Sequence, residues 1–443
     1  MNEDKKPIMV VQAPIGTRSG YGERSRDLVR ALIALNKYDI KIISTRWGNT
    51  PMNALTDADS DIVSRLLMSP LTSQPEIYVQ VTVPNEFQRV GKFNIGVTAG
   101  IETNMCDPSW IEGCNKMDLI LVSSNHAKQV FETSIFEKRD SRTKQLIGQL
   151  KLEKPVEVLL EGTRTDIFNK TYQNSESVES ILSQVKSDFA FLFVGHWLQG
   201  ILGEDRKNVG GLIKTFYEAF KNKKNAPALI LKTSITGPSN MDREEIKRRI
   251  EEIKKTVDSK NLPEVYLITG DLSDQEMNDL YNHPKIKCHI SLTKGEGFGR
   301  PLLEAATTGK PIITSKWSGQ MDFLNSESSV LINGKLQDVH PSAIWKGFIN
   351  EGSQWFTVDY GEAGSYMKDV YKNYKTYLER SRKTHHFIKT NFSFEKMQEK
   401  LNTILDTRLP EFPKQVQLTL PKLKKVELPT LKKVELPKLK KIE

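Results

Sequence analysis

Cysteine is scarce. Cys106, Cys114 and Cys288 are the only three in 443 residues, and none forms a CxxC pair. That excludes a disulfide framework and a paired-thiol zinc site, and it sets a reducing cytoplasm as the expected compartment, with the thiols as small buried hydrophobes. No run approaches the roughly 18 consecutive apolar residues of a membrane span. The opening MNEDKKPIMVV has no long apolar segment ahead of a cleavage site, so no secretory leader is expected. The seven histidines form neither HxxxH nor HExxH, and His385-His386 falls in a basic helical segment, so no metal site is expected.

Net basic charge is equally scarce over most of the chain. Of the net +9, the stretch Pro413–Glu443 contributes +6 through nine lysines and three glutamates, which leaves +3 for residues 1–412. A fold this close to neutral gives no argument for nucleic-acid binding by the globular part. The remaining composition, 38% hydrophobic over 443 residues, is enough for two or three domains with real cores. Nothing in it reads on oligomeric state.

Strand-like and amphipathic stretches alternate. IMVVQAP (8–14) leads through a glycine-rich turn with Gly16, Gly20 and Gly22 into DLVRALIALNKY, and residues 40–45 resume as a strand. This is a βαβ opening of a doubly wound sheet, and it is not a Walker loop because no GK[ST] follows. Residues 117–123 form a buried strand, and Ser124 or Asn125 can cap the helix after it. A polar stretch, NKTYQNSESVES (169–180), reads as a linker. FAFLFVGHWLQG then begins a second series, continued by ALILK (228–232) and VYLITG (265–270).

The most informative segment is SLTKGEGFGRPLLEAATTGKPIITSKWSGQMDFL (291–324). CHISL (288–292) and PIITS (311–315) are strands around the glycine loop GEGFG. Pro301 stands where the first turn of a helix tolerates proline, Leu302–Thr308 continue that helix, and Gly309 stops it. A strand, glycine loop and helix N-terminus in this order offer free N–H groups to an anion. Glu296 lies on the loop and Glu304 one turn into the helix, so the two carboxylates flank one ligand.

Glu296-GFGRPLL-Glu304 resembles the signature of retaining nucleotide-sugar glycosyltransferases of the GT-B fold, family four, the glycosyl transferases group 1. The resemblance implies an α/β chain of GT-B architecture: two Rossmann-like doubly wound domains facing a cleft, followed by a flexible basic tail. It divides the chain into an acceptor-side domain (1–168), a linker (169–187), a donor-side domain (188–385), a helix crossing back (386–410) and the tail (411–443). The implied reaction moves a sugar from a nucleotide-diphosphate sugar to a hydroxyl acceptor with retention, with no metal or other cofactor.

The same resemblance implies the roles of single residues. Glu296 orients the donor sugar and stabilises positive charge. Arg206 and Lys207, in GEDRKN, take the phosphate. Gly297, Phe298 and Gly299 help hold the donor, and Glu304 bonds the ribose. Gly16, Gly20 and Gly22 approach the donor phosphates, and Glu102 faces the cleft from the acceptor side. His196 stands where the family often has an arginine. Two other readings share the fold: a DNA-modifying glycosyltransferase, supported only by the tail charge, and an inactive sugar- or nucleotide-binding protein.

Asp57, Asp59 and Asp61 form a DxDxD run that resembles the metal signature of the other glycosyltransferase fold. A calcium loop would need glycine and glutamate where Ile62 and Met68 stand, so the run reads as an acidic helix start. After Leu409-Pro410 the sequence becomes LPKLKKVE, LPTLKKVE and LPKLKKIE, three octads from Leu420. A proline in every octad prevents a continuous helix. An anionic membrane, nucleic acid or an acidic protein fits these lysine pairs, and the membrane case would make the protein peripheral. A solvated tether without a partner requires the least. It predicts that truncation after Glu411 leaves localisation, activity and salt dependence unchanged, and a change in any of them assigns the tail a partner.

Overall fold

Short β-branched runs alternating with amphipathic stretches build two parallel sheets in the computed structural model, which describes residues 6–412 other than 141, 236 and 238. Of the expected tail, 411–443, all but its first two residues lie outside the described residues. In the first domain the strands are β1 (Ile8–Ala13), β2 (Asp39–Ser44), β3 (Ile77–Val81), β4 (Phe93–Thr98) and β5 (Leu119–Val122). A protruding antiparallel hairpin, β6 (Phe136–Arg139) and β7 (Leu146–Leu150), precedes the last strand, β8 (Val156–Val158). The parallel order is β2-β1-β3-β4-β5-β8. Helices α1 (Gly20–Leu35), the short α2 (Ser60–Val63), α3 (Pro108–Asn115) and α4 (Asn125–Thr133) connect these strands. Asp57–Asp59 is one helical turn, in which Asp59 accepts from Thr56 N and pairs with Arg30. That is the acidic helix start the spacing suggested.

In the second domain β9 (Ala190–Val194), β10 (Ala228–Lys232), β11 (Val265–Ile268), β12 (Ile286–Ser291), β13 (Ile312–Ser315) and β14 (Val330–Ile332) pair in the order β11-β10-β9-β12-β13-β14. Side chains alternate between its two faces. Phe191 and Phe193 point into a core with Leu212, Phe216 and Ile250, whereas Ala190 and Leu192 point into another with Leu182, Leu280 and Ala305. These cores are covered by α5 (Glu176–Ser183), α6 (Val209–Phe220), α7 (Asn240–Lys255), α8 (Asp274–Asn282), α9 (Arg300–Ala306) and α10 (Tyr360–Lys372). All three cysteines are buried free thiols.

The segment expected as a linker is more structured than its polarity suggested. It holds α5, whose Val178 and Leu182 are buried in the second domain's core. Asn278, Asp279 and Asn282 of α8 accept from the backbone N–H groups of Asn169, Ser175 and Thr171. At the far end, α11 (Tyr374–Asn391) packs on α9, and α12 (Phe394–Arg408) crosses back onto α1. The crossing helix therefore starts at Phe394, later than the expected 386. The two crossing segments run side by side: Thr163 N donates to Phe392 O at 2.7 Å, and Phe394 N to Thr163 O at 2.9 Å.

Several elements had no sequence expectation, and one of them touches both domains. Between β14 and α10 the chain forms an antiparallel pair, β15 (Gly334–Asp338) and β16 (Gln354–Val358), whose connecting loop reaches the first domain. Trp110 Nε1 donates to Gly347 O at 2.8 Å, and Asn104 N to Gln354 O at 2.9 Å. Among the described residues no helix is long and apolar enough to cross a membrane.

Met397, Leu401, Ile404 and Leu405 form the buried stripe of α12 at helical spacing. Leu401→Ala is expected to lower stability by about 2–5 kcal/mol, read from urea unfolding, because it opens a cavity under the crossing.

Candidate active site

In open parallel sheets a ligand binds beyond the carboxyl ends of the strands, where the strand order reverses. In the second domain that place lies between β9 and β12, whose following loops carry Gly195–Asn208 and Leu292–Gly299. The two loops are tied together: Lys294 N donates to Arg206 O at 2.8 Å, and Asn208 Nδ2 to Leu292 O at 3.0 Å. This sets Arg206 and Lys207 beside Glu296. Lys207 Nζ lies 2.6 Å from Glu296 Oε1, and Arg206 Nη1 lies 3.4 Å from Oε2 and 3.0 Å from Gly295 O. Burial alone would raise the Glu296 carboxyl, but Lys207 and Arg206 outweigh it and hold it below the ordinary range. Lys207 is pulled down by its own burial, against the attraction of Glu296.

The first domain closes this site from the other side. Glu102 Oε1 is 3.8 Å from Arg206 Nη1, so the acceptor-side candidate and the phosphate-side candidate share one guanidinium. The backbones of the two domains touch here. A Cβ on Gly295 would lie 1.9 Å from Glu102 O, and one on Gly297 would lie 1.9 Å from Ala99 O. Ser123 Oγ stands 3.0 Å from Ala99 O and 3.2 Å from Gly297 O. Beside it Asp322 accepts from Asn125 N at 2.8 Å, capping α4 from the opposite domain. Near Glu102, Tyr21 stacks on Trp47 with ring centroids 3.9 Å apart, and its hydroxyl is 2.9 Å from Thr98 Oγ1.

Gly16, Gly20 and Gly22 sit in and just after the loop following β1. Arg18 in that loop reaches Asp271 of the second domain at 3.8 Å. A Cβ on Gly22 would strike Thr17 O at 2.1 Å, so Gly22 serves packing, while Gly20 faces open space. Gly299 has φ +101°, a conformation that needs glycine, and it caps α9. That helix is Arg300–Ala306, starting one residue and ending two residues earlier than expected, and only seven long. The Phe298 side chain packs against Phe323 and Phe392 in the core, which leaves its backbone N–H as the group on the loop side. His196 is exposed, with Nδ1 3.0 Å from Ser234 Oγ.

Glu304 is held apart from Glu296. Oε1 accepts from Arg300 Nε at 2.9 Å and Oε2 from Tyr281 OH at 3.2 Å. Burial pushes its carboxyl up to about 7, against the pull of Arg300. Sequence reasoning missed two contributors. Ser318, at φ +71°, accepts from Glu296 N at 2.9 Å and fixes that residue's backbone. Arg300 bonds Asp27 of the first domain at 2.6 Å. SGQMDFL belongs to the quoted signature, so Ser318 stood in view without a role. Arg300 also lay inside the signature, with no local sign of its distant partner. Among the described residues no group of three or more His, Cys, Asp or Glu could hold a metal ion.

Residues 186–343 match the family described as Glycosyl transferases group 1. No curated protein matches the chain as a sequence. Solved structures match its fold over nearly the whole length. A glycosyltransferase from Rickettsia africae aligns with TM-score 0.59 at 14% identity, covering 92% of this chain and 99% of that one. Sucrose-phosphate synthase from Thermosynechococcus elongatus aligns with TM-score 0.57 at 12% identity, covering 91% and 99%. HepE from Anabaena, in complex with UDP-glucose, aligns with TM-score 0.55 at 12% identity, covering 90% and 100%. The two facing parallel sheets are thus a GT-B fold, whose second domain carries the segment similar to the glycosyl transferases group 1.

Proposed function

We propose that this chain transfers a sugar from a nucleoside-diphosphate donor to a hydroxyl acceptor, with retention of anomeric configuration. The observation that carries the reading is Glu296, buried and ionised between Lys207 and Arg206 at the seam of the two domains. Breaking the bond from anomeric carbon to phosphate leaves positive charge on the sugar and negative charge on the diphosphate. A fixed carboxylate answers the first and two fixed cations answer the second, with no resident metal required. HepE, whose structure holds UDP-glucose, shares the fold and points to the same donor class.

Both Glu296 oxygens are occupied by cations, which suits an electrostatic partner better than a free nucleophile. Retention then follows from attack on the face the diphosphate leaves. The acceptor oxygen bonds the anomeric carbon, the carbon–phosphate oxygen bond breaks, and the acceptor proton passes to a phosphate oxygen of the leaving group. Glu304 bonds the nucleotide's ribose hydroxyls, Gly297, Gly299 and the Gly16–Gly22 loop approach the donor, and Glu102 faces the acceptor.

A nucleotide that binds only the folded state must raise Tm. At least one of UDP, GDP, ADP and dTDP is expected to do so, and the absence of a shift with all four would overturn the reading. Glu296→Gln should keep that shift yet lose transfer by ~100-fold or more, measured as donor release. Unchanged turnover removes Glu296 from the mechanism. Protonated Glu304 has one acceptor fewer for a ribose hydroxyl. Nucleotide affinity, measured by calorimetry, should therefore strengthen as pH rises through about 7, and Glu304→Gln should flatten that dependence.

A further inference from the structure

Arg300 stands between the two carboxylates of the 296–304 segment in sequence, but its partners are spread over both domains. Nε lies 2.9 Å from Glu304 Oε1 on its own helix. Nη1 lies 2.6 Å from Asp27 Oδ2 on α1, and 3.6 Å from Glu161 Oε2 in the crossing segment. The group is buried. Asp27 is 1% exposed; its second oxygen accepts no hydrogen bond, and Arg30 Nη1 on the same helix lies 3.8 Å from it. Buried Arg24 on α1 adds a second cation next to Asp27 and Glu161, Glu23 adds a carboxylate from the same helix, and α8 contributes Tyr281 and Asp274 on the Glu304 side. A forked guanidinium can bond two carboxylates in fixed directions at once, whereas an ammonium acts as a point charge.

We propose that Arg300 is a positioning residue that couples donor recognition to contact between the domains. This rests on the reading of Glu304 as a donor-binding residue. With the domains together, Asp27 anchors the guanidinium, and the anchored guanidinium aims Glu304. With the domains apart, Arg300 still pairs with Glu304 on its own helix but loses the anchor that fixes its direction. By linkage, donor binding and domain contact then strengthen one another. Asp27 itself touches no part of the proposed donor site.

The test uses the full chain and whichever of UDP, GDP, ADP or dTDP shifts the wild-type Tm most. Asp27→Asn keeps shape and leaves the Arg300–Glu304 pair intact, and Arg300→Lys keeps the charge without the fork. Each should weaken nucleotide affinity about tenfold, enlarge the ligand-free radius of gyration in solution scattering, and combine non-additively. If one variant does not fold by circular dichroism, the other carries the same two readouts. Unchanged affinity in a folded variant overturns the coupling, as does lost affinity without a change in radius. If Glu304→Gln binds the nucleotide like wild type, the donor-site reading itself fails and the coupling fails with it.

Discussion

The site depends on one steric permission, the approach of backbone to backbone where the two sheets meet. Gly295 and Gly297 lie against Glu102 O and Ala99 O at distances that leave no room for a Cβ. Glu296 stands between these two glycines, so the contact that joins the domains also sets the carboxylate at their seam. Its cations come from the β9–α6 loop of its own domain, and Glu102 faces them from the other. Neither domain alone assembles this group of charges. The loop between β15 and β16 and the Asn125–Asp322 bonds hold the same seam from its flanks.

Two carboxylates eight residues apart are driven in opposite directions by their surroundings. Glu296 has Lys207 and Arg206 on its two oxygens and stays ionised despite burial. Glu304 has one cation, and Arg300 also answers Asp27 and Glu161, so burial wins and its carboxyl rises to about 7. Separation of this kind is how similar groups acquire different chemical tasks. A carboxyl held below its ordinary range by two cations suits charge stabilisation, and one poised near neutrality suits hydrogen bonding.

Much of this was legible in the sequence because it is written in short-range pattern. β-branched runs and amphipathic stretches pointed to β1, β2, β5 and β9 to β13, with ends shifted by one or two residues. The Glu296–Glu304 spacing pointed to the site. That the Phe298 ring serves the core was not legible, because only its packing against Phe323 and Phe392 shows it. Helix α5 hid in a polar stretch because only Val178 and Leu182 of its eight residues are buried. Strand β15 is exposed at all five positions, so it carries no hydrophobic alternation to read. The Arg300–Asp27 pair spans 273 residues of sequence and has no local signature at all.

The placement of the ionic cluster bears on how the domains can move. Glu161 lies two residues from Thr163, where the crossing segments exchange backbone hydrogen bonds, whereas Asp27 lies on the body of α1. A rotation about that crossing displaces Asp27 farther than Glu161. Arg300 would then lose one carboxylate and keep another. Leaving a buried charge wholly unpaired costs several kcal/mol. Glu304, on the same helix as Arg300, stays paired with it through any such rotation, and Glu161 near the crossing adds a second carboxylate, so the loss of Asp27 alone leaves the guanidinium compensated.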